Sequence, residues 1–304
     1  IYKARIKILA KALGIEEFKK QVEAEWHHLK NSPNTINEAE LKRVAKFFTA
    51  MPYEELNDQD ATFNEAIKNN KAFASWAKRS VHLHKQKGYR AITLSLKPHG
   101  LAPGDATSAQ MRIVAELADL YSFGELRVSH EQNLILADVK LQDIFKVWEK
   151  AKAHQLATPN VGLLTDIICC PGGDFCSLAN AKSIPIATSI QEAFDNLDYL
   201  HDIGELELNI SGCMNACGHH HVGHIGVLGV DKDGSEWYQV TIGGKQGNDA
   251  SLGSVIGPSF AAEEMPGVVK KLIDVYIKHR NPEERFIDTV RRLGVNPFKE
   301  HVYA

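Results

Sequence analysis

The sequence is sparing with cysteine. Five cysteines in 304 residues are far too few for a disulfide scaffold. Long hydrophobic runs are also missing: no apolar stretch approaches the roughly 18 residues that cross a bilayer as a helix. Neither sign of charge dominates, with 35 Lys plus Arg against 38 Asp plus Glu and a net charge of −3. A general nucleic-acid binder would show a basic excess, so that class is excluded, although a local basic pocket for a small anion is not. Hydrophobic residues at 44% and charged residues at 24% are ordinary globular usage, which rules out a disordered, collagen-like or low-complexity chain. No fixed-period repeat marks a solenoid or propeller. No signal peptide is evident, and the expected setting is a reducing cytoplasm. The chain opens on Ile1 rather than methionine, as a piece of a longer protein or a processed product would.

A length of 304 residues sets a prior of about two domains, and the residue patterns divide the chain into three regions. Residues 1–85 read as a helical connecting segment. Ile15, Phe18, Val22 and Trp26 recur at helical spacing, and Gly14 ends a preceding helix. Thr35 and Glu38 form a capping-box pattern before Leu41, Val44 and Phe48. Residues 86–158 change period. Ile92, Leu94 and Leu96 alternate with Thr93, Ser95 and Lys97, a strand with one buried face. A helix through Met111, Val114, Leu117 and Tyr121 is opened by Thr107 or Ser108. Two short strands, 126–128 and 134–136, and a helix through Ile144, Val147, Trp148 and Ala151 follow. The β-α-β-β-α order implies a small α+β layer with helices on one face. Residues 159–304 read as mixed α+β. A strand is expected over 205–210, a short helix near Leu178, and a hairpin turning at Asp231-Lys-Asp-Gly between 225–230 and 237–242. A late helix is expected with Asn281 as its cap, Pro282 in its first turn and Gly294 at its end.

All five cysteines fall between Cys169 and Cys217, a clustering that points to a metal or cluster site. Cys170 and Cys176 enclose Pro-Gly-Gly-Asp-Phe; Cys213 and Cys217 enclose Met-Asn-Ala. Four thiolates suit a structural zinc or an iron–sulfur cluster. Zinc pairs usually sit two to four residues apart on tight knuckles. A five-residue gap with proline and two glycines is loose for zinc and better for wrapping a cubane. The glycines let backbone N–H groups approach cluster sulfurs, where such hydrogen bonds raise the potential. The bland alternative is buried, unliganded cysteines behaving as small hydrophobes, which is how Cys169 is read.

These segments carry a resemblance. Cys170-Pro-Gly-Gly-Asp-Phe-Cys and Asn209-Ile-Ser-Gly-Cys-Met-Asn-Ala-Cys-Gly resemble the paired motif of the nitrite and sulfite reductase haemoproteins, which join a [4Fe–4S] cluster to a sirohaem. Arg127-Val-Ser-His-Glu-Gln-Asn-Leu-Ile-Leu is similar to a strand-turn-strand motif of that family. Gly243-Gly-Lys, Gly257-Pro-Ser-Phe and the closing helices resemble its C-terminal end. The implied fold is α+β: the helical segment, a ferredoxin-like half-domain, then a sirohaem and cluster domain. Family members have two pseudo-symmetric halves, and Ala4-Arg-Ile-Lys resembles the start of the second. The resemblance therefore implies a C-terminal half. The N-terminal half of the same enzyme would be its partner and would supply the cations that hold the substrate anion.

The resemblance also implies site roles. Cys170, Cys176, Cys213 and Cys217 are the expected cluster ligands, with Cys217 bridging to the sirohaem iron. Asn215 and Ala179 match positions lying against the sirohaem, although Asn215 could merely shape its loop. Gln132 and Asn133 match a turn that contacts the macrocycle, or are a hairpin turn alone. Arg127 is a partner for a macrocycle carboxylate or for a structural ion pair. Lys85, in the basic stretch His84-Lys-Gln-Lys, is a further candidate cation or a solvated turn. His219, His220, His221 and His224 invite a metal reading, but adjacent histidines on extended chain alternate sides, and lining a cofactor pocket suits them better. No catalytic residue is assigned. The implied activity is six-electron reduction of sulfite to sulfide or nitrite to ammonia, with ferredoxin or a flavoprotein as donor. Two other readings are weighed, an iron–sulfur electron-transfer module without its own substrate and a zinc-stabilised interaction domain.

Overall fold

The computed structural model describes residues 6–304; Ala4 and Arg5 of the expected opening motif lie outside that range. Contacts divide the chain into a unit ending at Glu54 and a unit from Glu55 to Ala304.

The first unit holds α1 (Ile6–Leu13), α2 (Ile15–Leu29) and α3 (Glu38–Ala45). Gly14, at φ 78°, donates its N–H to the Ala10 carbonyl at 2.9 Å and ends α1 as expected. A left-handed residue at this position suits glycine because it lacks the clashing Cβ. The start of α3 differs from expectation. Asn37 is the cap, its side chain accepting from Glu40 N–H at 2.9 Å, while the Thr35 hydroxyl turns back to the Lys30 carbonyl at 3.0 Å. Asparagine next to the first helical residue is among the best caps, and it displaces the more distant threonine. None of the three helices buries a residue; Ile15, Val22 and Trp26 are exposed.

The second unit begins with α4 (Ala61–Asn69) and α5 (Lys71–Ser80), capped by Asp60 and Asn70 through their side-chain oxygens. β1 (Val81–Leu83), β2 (Tyr89–Leu94), α6 (Ser108–Tyr121), β3 (Leu126–Val128), β4 (Leu134–Lys140) and α7 (Ile144–Ala153) follow. The strands form an antiparallel sheet in the order β1-β2-β4-β3. Thr107 caps α6 in a full capping box with Gln110. Phe73, Trp76, Ile92, Leu94, Leu117 and Trp148 share one core, so α5, α6 and α7 lie on the same sheet face. Two expectations are corrected. The helical reading of 1–85 stops at Ser80, because Val81–Leu83 pairs with β2; three residues are too few to show a period. The β2 segment also has two buried faces, not one: Thr93, Ser95 and Lys97 are 6%, 0% and 1% exposed.

The remaining elements are β5 (Ile168–Cys169), α8 (Gly172–Phe175), α9 (Ile184–Ala193), α10 (Leu197–Ile203) and β6 (Leu208–Ser211), then β7 (Ile225–Lys232), β8 (Ser235–Ile242), β9 (Ser254–Val255), α11 (Met265–His279), α12 (Phe286–Leu293) and α13 (Asn296–Tyr303). Their sheet runs β5-β6-β7-β8-β9; β5, β6 and β7 are parallel and the rest antiparallel. Leu208, Ile210, Val227 and Val240 pack with Ile190, Val269, Leu272 and Phe286 in a second core. The hairpin turns at Asp233-Gly234, as expected. The 205–210 strand starts only at Leu208, and the short helix precedes Cys176 rather than sitting at Leu178. The late helix begins at Phe286, not Asn281. Residues 281–284 form a turn in which the Glu284 carboxylate accepts from Asn281 N–H at 2.8 Å and from Arg292. That carboxylate holds the turn before α12 and accepts the Thr289 hydroxyl, while the helix itself starts without a side-chain cap.

Candidate functional site

The cysteine motifs leave the sheet at one place. β5 and β6 are parallel neighbours, with Cys169 opposite Ile210. Cys170 follows β5 and Gly212-Cys213 follows β6, so both pairs start at the carboxyl ends of adjacent parallel strands. Open α/β sheets place ligands at such ends. Cys170 N–H donates to the Ile210 carbonyl at 3.1 Å, and Gly212 N–H donates to Cys170 Sγ at 3.1 Å. The N–H groups of Asn180 and Ala181 both donate to the Gly212 carbonyl, at 2.8 and 3.0 Å. A Cβ at Gly212 would lie 2.6 Å from the Ala181 carbonyl oxygen and 2.8 Å from Gly172 Cα. Backbone thus meets backbone where the two loops touch, a contact only glycine permits.

Within the loops, Cys176 N–H returns to the Gly172 carbonyl at 2.9 Å and Ala216 N–H to the Cys213 carbonyl at 3.1 Å. Cys170 and Cys213 are buried, Cys176 is half-buried and Cys217 is exposed; none forms a disulfide. Among the described residues, no three His, Cys, Asp or Glu side chains are gathered closely enough for a single metal ion. A four-iron cube takes its thiolates at separate corners and tolerates wider spacing. Cys169 has a different environment. Its side chain packs in the second core, and its thiol donates to the Cys170 carbonyl at 3.2 Å. Burial pushes that thiol up, well above the ordinary cysteine range. Consecutive residues of an extended chain face opposite ways, so Cys169 and Cys170 cannot both serve the loops.

The other expected site residues divide. Ala179 and Asn215 are half-buried on the two cysteine loops themselves. Gln132, in the left-handed turn between β3 and β4 at φ 59°, has a specific partner. Its side-chain amide donates to the Cys169 carbonyl and accepts Cys169 N–H, both at 2.8 Å, and so acts as an extra strand at the edge of β5. Asn133 is buried, accepting from Leu96 N–H at 3.1 Å and donating to Asp166 at 3.0 Å. Arg127 is exposed on the edge strand and pairs with Glu125 at 2.5 Å. Lys85 is not brought to the site. It lies in the β1–β2 loop beside Tyr89, which pairs with Lys140, whereas Gln132 adjoins Leu134 at the other end of the same sheet. Six strand residues at about 3.3 Å each put roughly 20 Å between those ends.

Sequence reasoning missed a buried polar group beside the site. Lys97 Nζ pairs with Asp166 at 2.6 Å and donates to the Glu131 carbonyl. Asn160 accepts from Ser95 and donates to the Lys97 carbonyl at 3.0 Å. These bonds fasten the 160–168 segment to the end of β2. They also explain the second buried face of that strand, since its polar side chains meet complementary ones. The strand alternation placed Lys97 in solvent, and nothing local signalled Asp166. A cavity of about 350 Å³ adjoins this group, lined by Thr93, Asn133, Asp166, Glu207 and Gln246 among others.

The four histidines do not converge. His219 is exposed, His220 is buried with its ring 3.9 Å from that of His221, and His224 is buried in contact with Glu207. His224 Nδ1 accepts Glu207 N–H at 3.2 Å, which requires the neutral ring. Burial, with Arg285 and Lys245 nearby, lowers its pKa to about 4. The folded state therefore resists a proton that the unfolded chain takes near pH 6.5. His224 stabilises the fold fully above pH 6.5 and progressively less as pH falls toward 4, by about 3 kcal/mol in total. Urea titrations across that window should show the loss in the parent and a flatter profile in His224→Asn.

Residues 163–304 match the nitrite and sulphite reductase 4Fe-4S domain, and residues 82–154 match the nitrite/sulfite reductase ferredoxin-like half domain. The chain belongs to the nitrite and sulfite reductase family. It is 29% identical to an assimilatory ferredoxin-dependent nitrite reductase of Haloferax mediterranei, over 66% of this chain and 35% of that protein. It is 22% identical to an assimilatory-type sulfite reductase of Nitratidesulfovibrio vulgaris, over 67% of this chain and 88% of that protein. The solved NirA protein of Mycobacterium tuberculosis superposes with a TM-score of 0.61 at 21% identity, covering 97% of this chain and 49% of that one. That likeness supports the α+β fold. The chain spans well under half of several of the nitrite reductases it matches. No helix among the described residues is long and apolar enough to cross a membrane.

Proposed function

We propose that this chain carries the [4Fe–4S] cluster and the sirohaem of a reductase that takes sulfite to sulfide or nitrite to ammonia. The carrying observation is that two cysteine loops touch through Gly172 and Gly212 at the carboxyl ends of β5 and β6. Cys170, Cys176, Cys213 and Cys217 are the proposed ligands. The donor set is soft and sulfur-only, which suits iron–sulfur chemistry. Cys217 is exposed, and Phe175, Leu178 and Met214 on the same two loops are exposed apolar side chains, a setting suited to a flat macrocycle. A bound cluster and sirohaem would together supply single-electron storage for the six-electron reduction. Ala179 and Asn215 are the residues proposed to border the macrocycle.

Arg127, Lys97 and Lys245 are committed to Glu125, Asp166 and Asp249, and the exposed Lys182, against Gly173, is one charge where a macrocycle carries several carboxylates. We therefore assign the anion and the macrocycle carboxylates to cations from a partner half, with ferredoxin or a flavoprotein as donor and the cytoplasm as setting. Residues 1–304 alone are then inactive. A second reading rests on the sulfite reductase of which this chain matches 88%, a protein without room for a large extra half; on that reading the chain is active unaided.

Reconstitution with iron, sulfide and sirohaem tests both. A Soret band with a red-region band is expected, and a colourless product overturns the proposal. Methyl-viologen oxidation with sulfite and with nitrite then separates the readings. Absence of turnover supports the need for a partner half, and turnover supports the second reading.

A further inference from the structure

Ser183 stands where a serine normally caps a helix. It is the residue before α9, and Pro185 follows in the first turn. A serine there usually accepts a backbone N–H from the first turn, worth about 1 kcal/mol. Ser183 makes no such bond. It is fully buried, and its hydroxyl lies 3.5 Å from Cys170 Sγ. Space for that hydroxyl is made by glycine on both sides. A Cβ at Gly172 would lie 2.6 Å from Ser183 Oγ, and one at Gly212 would lie 3.0 Å from it. These two glycines belong to the first and second cysteine motifs, so the hydroxyl sits in the seam between them.

We propose that Ser183 tunes the reduction potential of the bound cluster by donating its O–H to the Cys170 sulfur. The inference rests on the ligand role given to Cys170 above. A ligating thiolate has no proton, so within this contact only the hydroxyl can donate. Gly212 N–H already donates to the same sulfur at 3.1 Å, and Ser183 adds a second donor to one ligand. Donors at a ligand sulfur stabilise the more negative, reduced cluster and raise its potential. The missing helix cap has a separate cause, the αR backbone of Ser183, which is not the extended conformation of a capping residue. Ser183 does not touch substrate; it is a positioning and tuning residue that acts through Cys170.

The test is potentiometry of the cluster-loaded protein, with iron and acid-labile sulfide counted per chain. Ser183→Ala removes the donor, and Ser183→Thr restores it. Ser183→Ala is expected to keep its iron and to favour the oxidised cluster about tenfold, a fall of about 59 mV for a one-electron couple. Ser183→Thr should return toward the parent value. An unchanged or raised potential in Ser183→Ala overturns the inference. So does a fall of equal size in Ser183→Thr, which would reflect packing rather than the hydroxyl. Should Ser183→Ala fail to hold iron, recovery of iron in Ser183→Thr sustains the inference, and failure in both overturns it. A parent protein without iron or sulfide would instead defeat the proposed function, so the two failures are distinguishable.

Discussion

Replacing Cys217 with serine is expected to strip the cluster from the protein, and Cys170→Ser to do the same, while Cys169→Ser leaves it in place. The contrast comes from two neighbours in sequence. Cys170 Sγ faces the seam between the cysteine loops and accepts the Gly212 N–H. Cys169 packs its sulfur among core residues and gives its thiol proton to a carbonyl. Its backbone is held by both ends of the Gln132 amide, and that clamp does not depend on the Cys169 side chain. Serine at 169 therefore buries a slightly smaller hydroxyl, at about 1–3 kcal/mol if its own hydrogen bond is imperfect, without touching the loops. Serine at 170 or 217 exchanges a soft thiolate for a hydroxyl that ionises far less readily, and cluster iron prefers the former. Cys217 is also exposed, so no packing holds a three-ligand cluster there against water. Iron and sulfide assays decide the matter. Full iron in Cys217→Ser removes that residue from the ligand set, and lost iron in Cys169→Ser with a folded chain brings the wrong cysteine into it.

How much of this arrangement could be read in advance depended on whether its cause was local. The cysteine spacing, the β7–β8 hairpin at Asp233-Gly234 and the Thr107 cap are local chemistry, and each is found where the residues indicate. Failures cluster where a distant segment intervenes. β1 was hidden because three residues carry no period and only pairing with β2 makes them a strand. Asn281 offers a good cap, yet Glu284, with two arginine bonds and an N–H, takes over the turn. Gln132, expected at a macrocycle or in a hairpin turn alone, lies in the β3–β4 turn and serves the Cys169 backbone, a use that no spacing could reveal. Lys85 is a candidate on charge, and Arg127 on the resemblance, with a structural ion pair as its alternative. The β2–β4 register puts Lys85 at the far end of its sheet, and Glu125 neutralises Arg127.

Lys97→Met is expected to destabilise the fold by about 3–5 kcal/mol, the usual result of leaving one member of a buried ion pair alone. Lys97 is 1% exposed and Asp166 9%. Their 2.6 Å contact is one bond of a set that includes Asn133 on the same carboxylate oxygen and Gly162 N–H, at 2.8 Å, on the other. Without the ammonium, Asp166 keeps two neutral donors in a site with little water, and the Glu131 carbonyl loses its donor. Neutralising the carboxylate as well should recover more than half of the loss, because Lys97→Met with Asp166→Asn removes the stranded charge and keeps an acceptor for Gly162. The damage should reach the cysteines. Asp166 lies two residues before β5, and β5 leads directly into Cys170, so a slack 160–168 segment loosens one side of the cluster seam. Iron content in Lys97→Met is accordingly expected to fall with stability, and to return in the double variant. Chemical denaturation of the parent, both single variants and the double variant measures the coupling. A loss below about 1 kcal/mol in Lys97→Met, typical of an exposed pair, would show that the lysine is not the tie between the ferredoxin-like sheet and the cysteine loops.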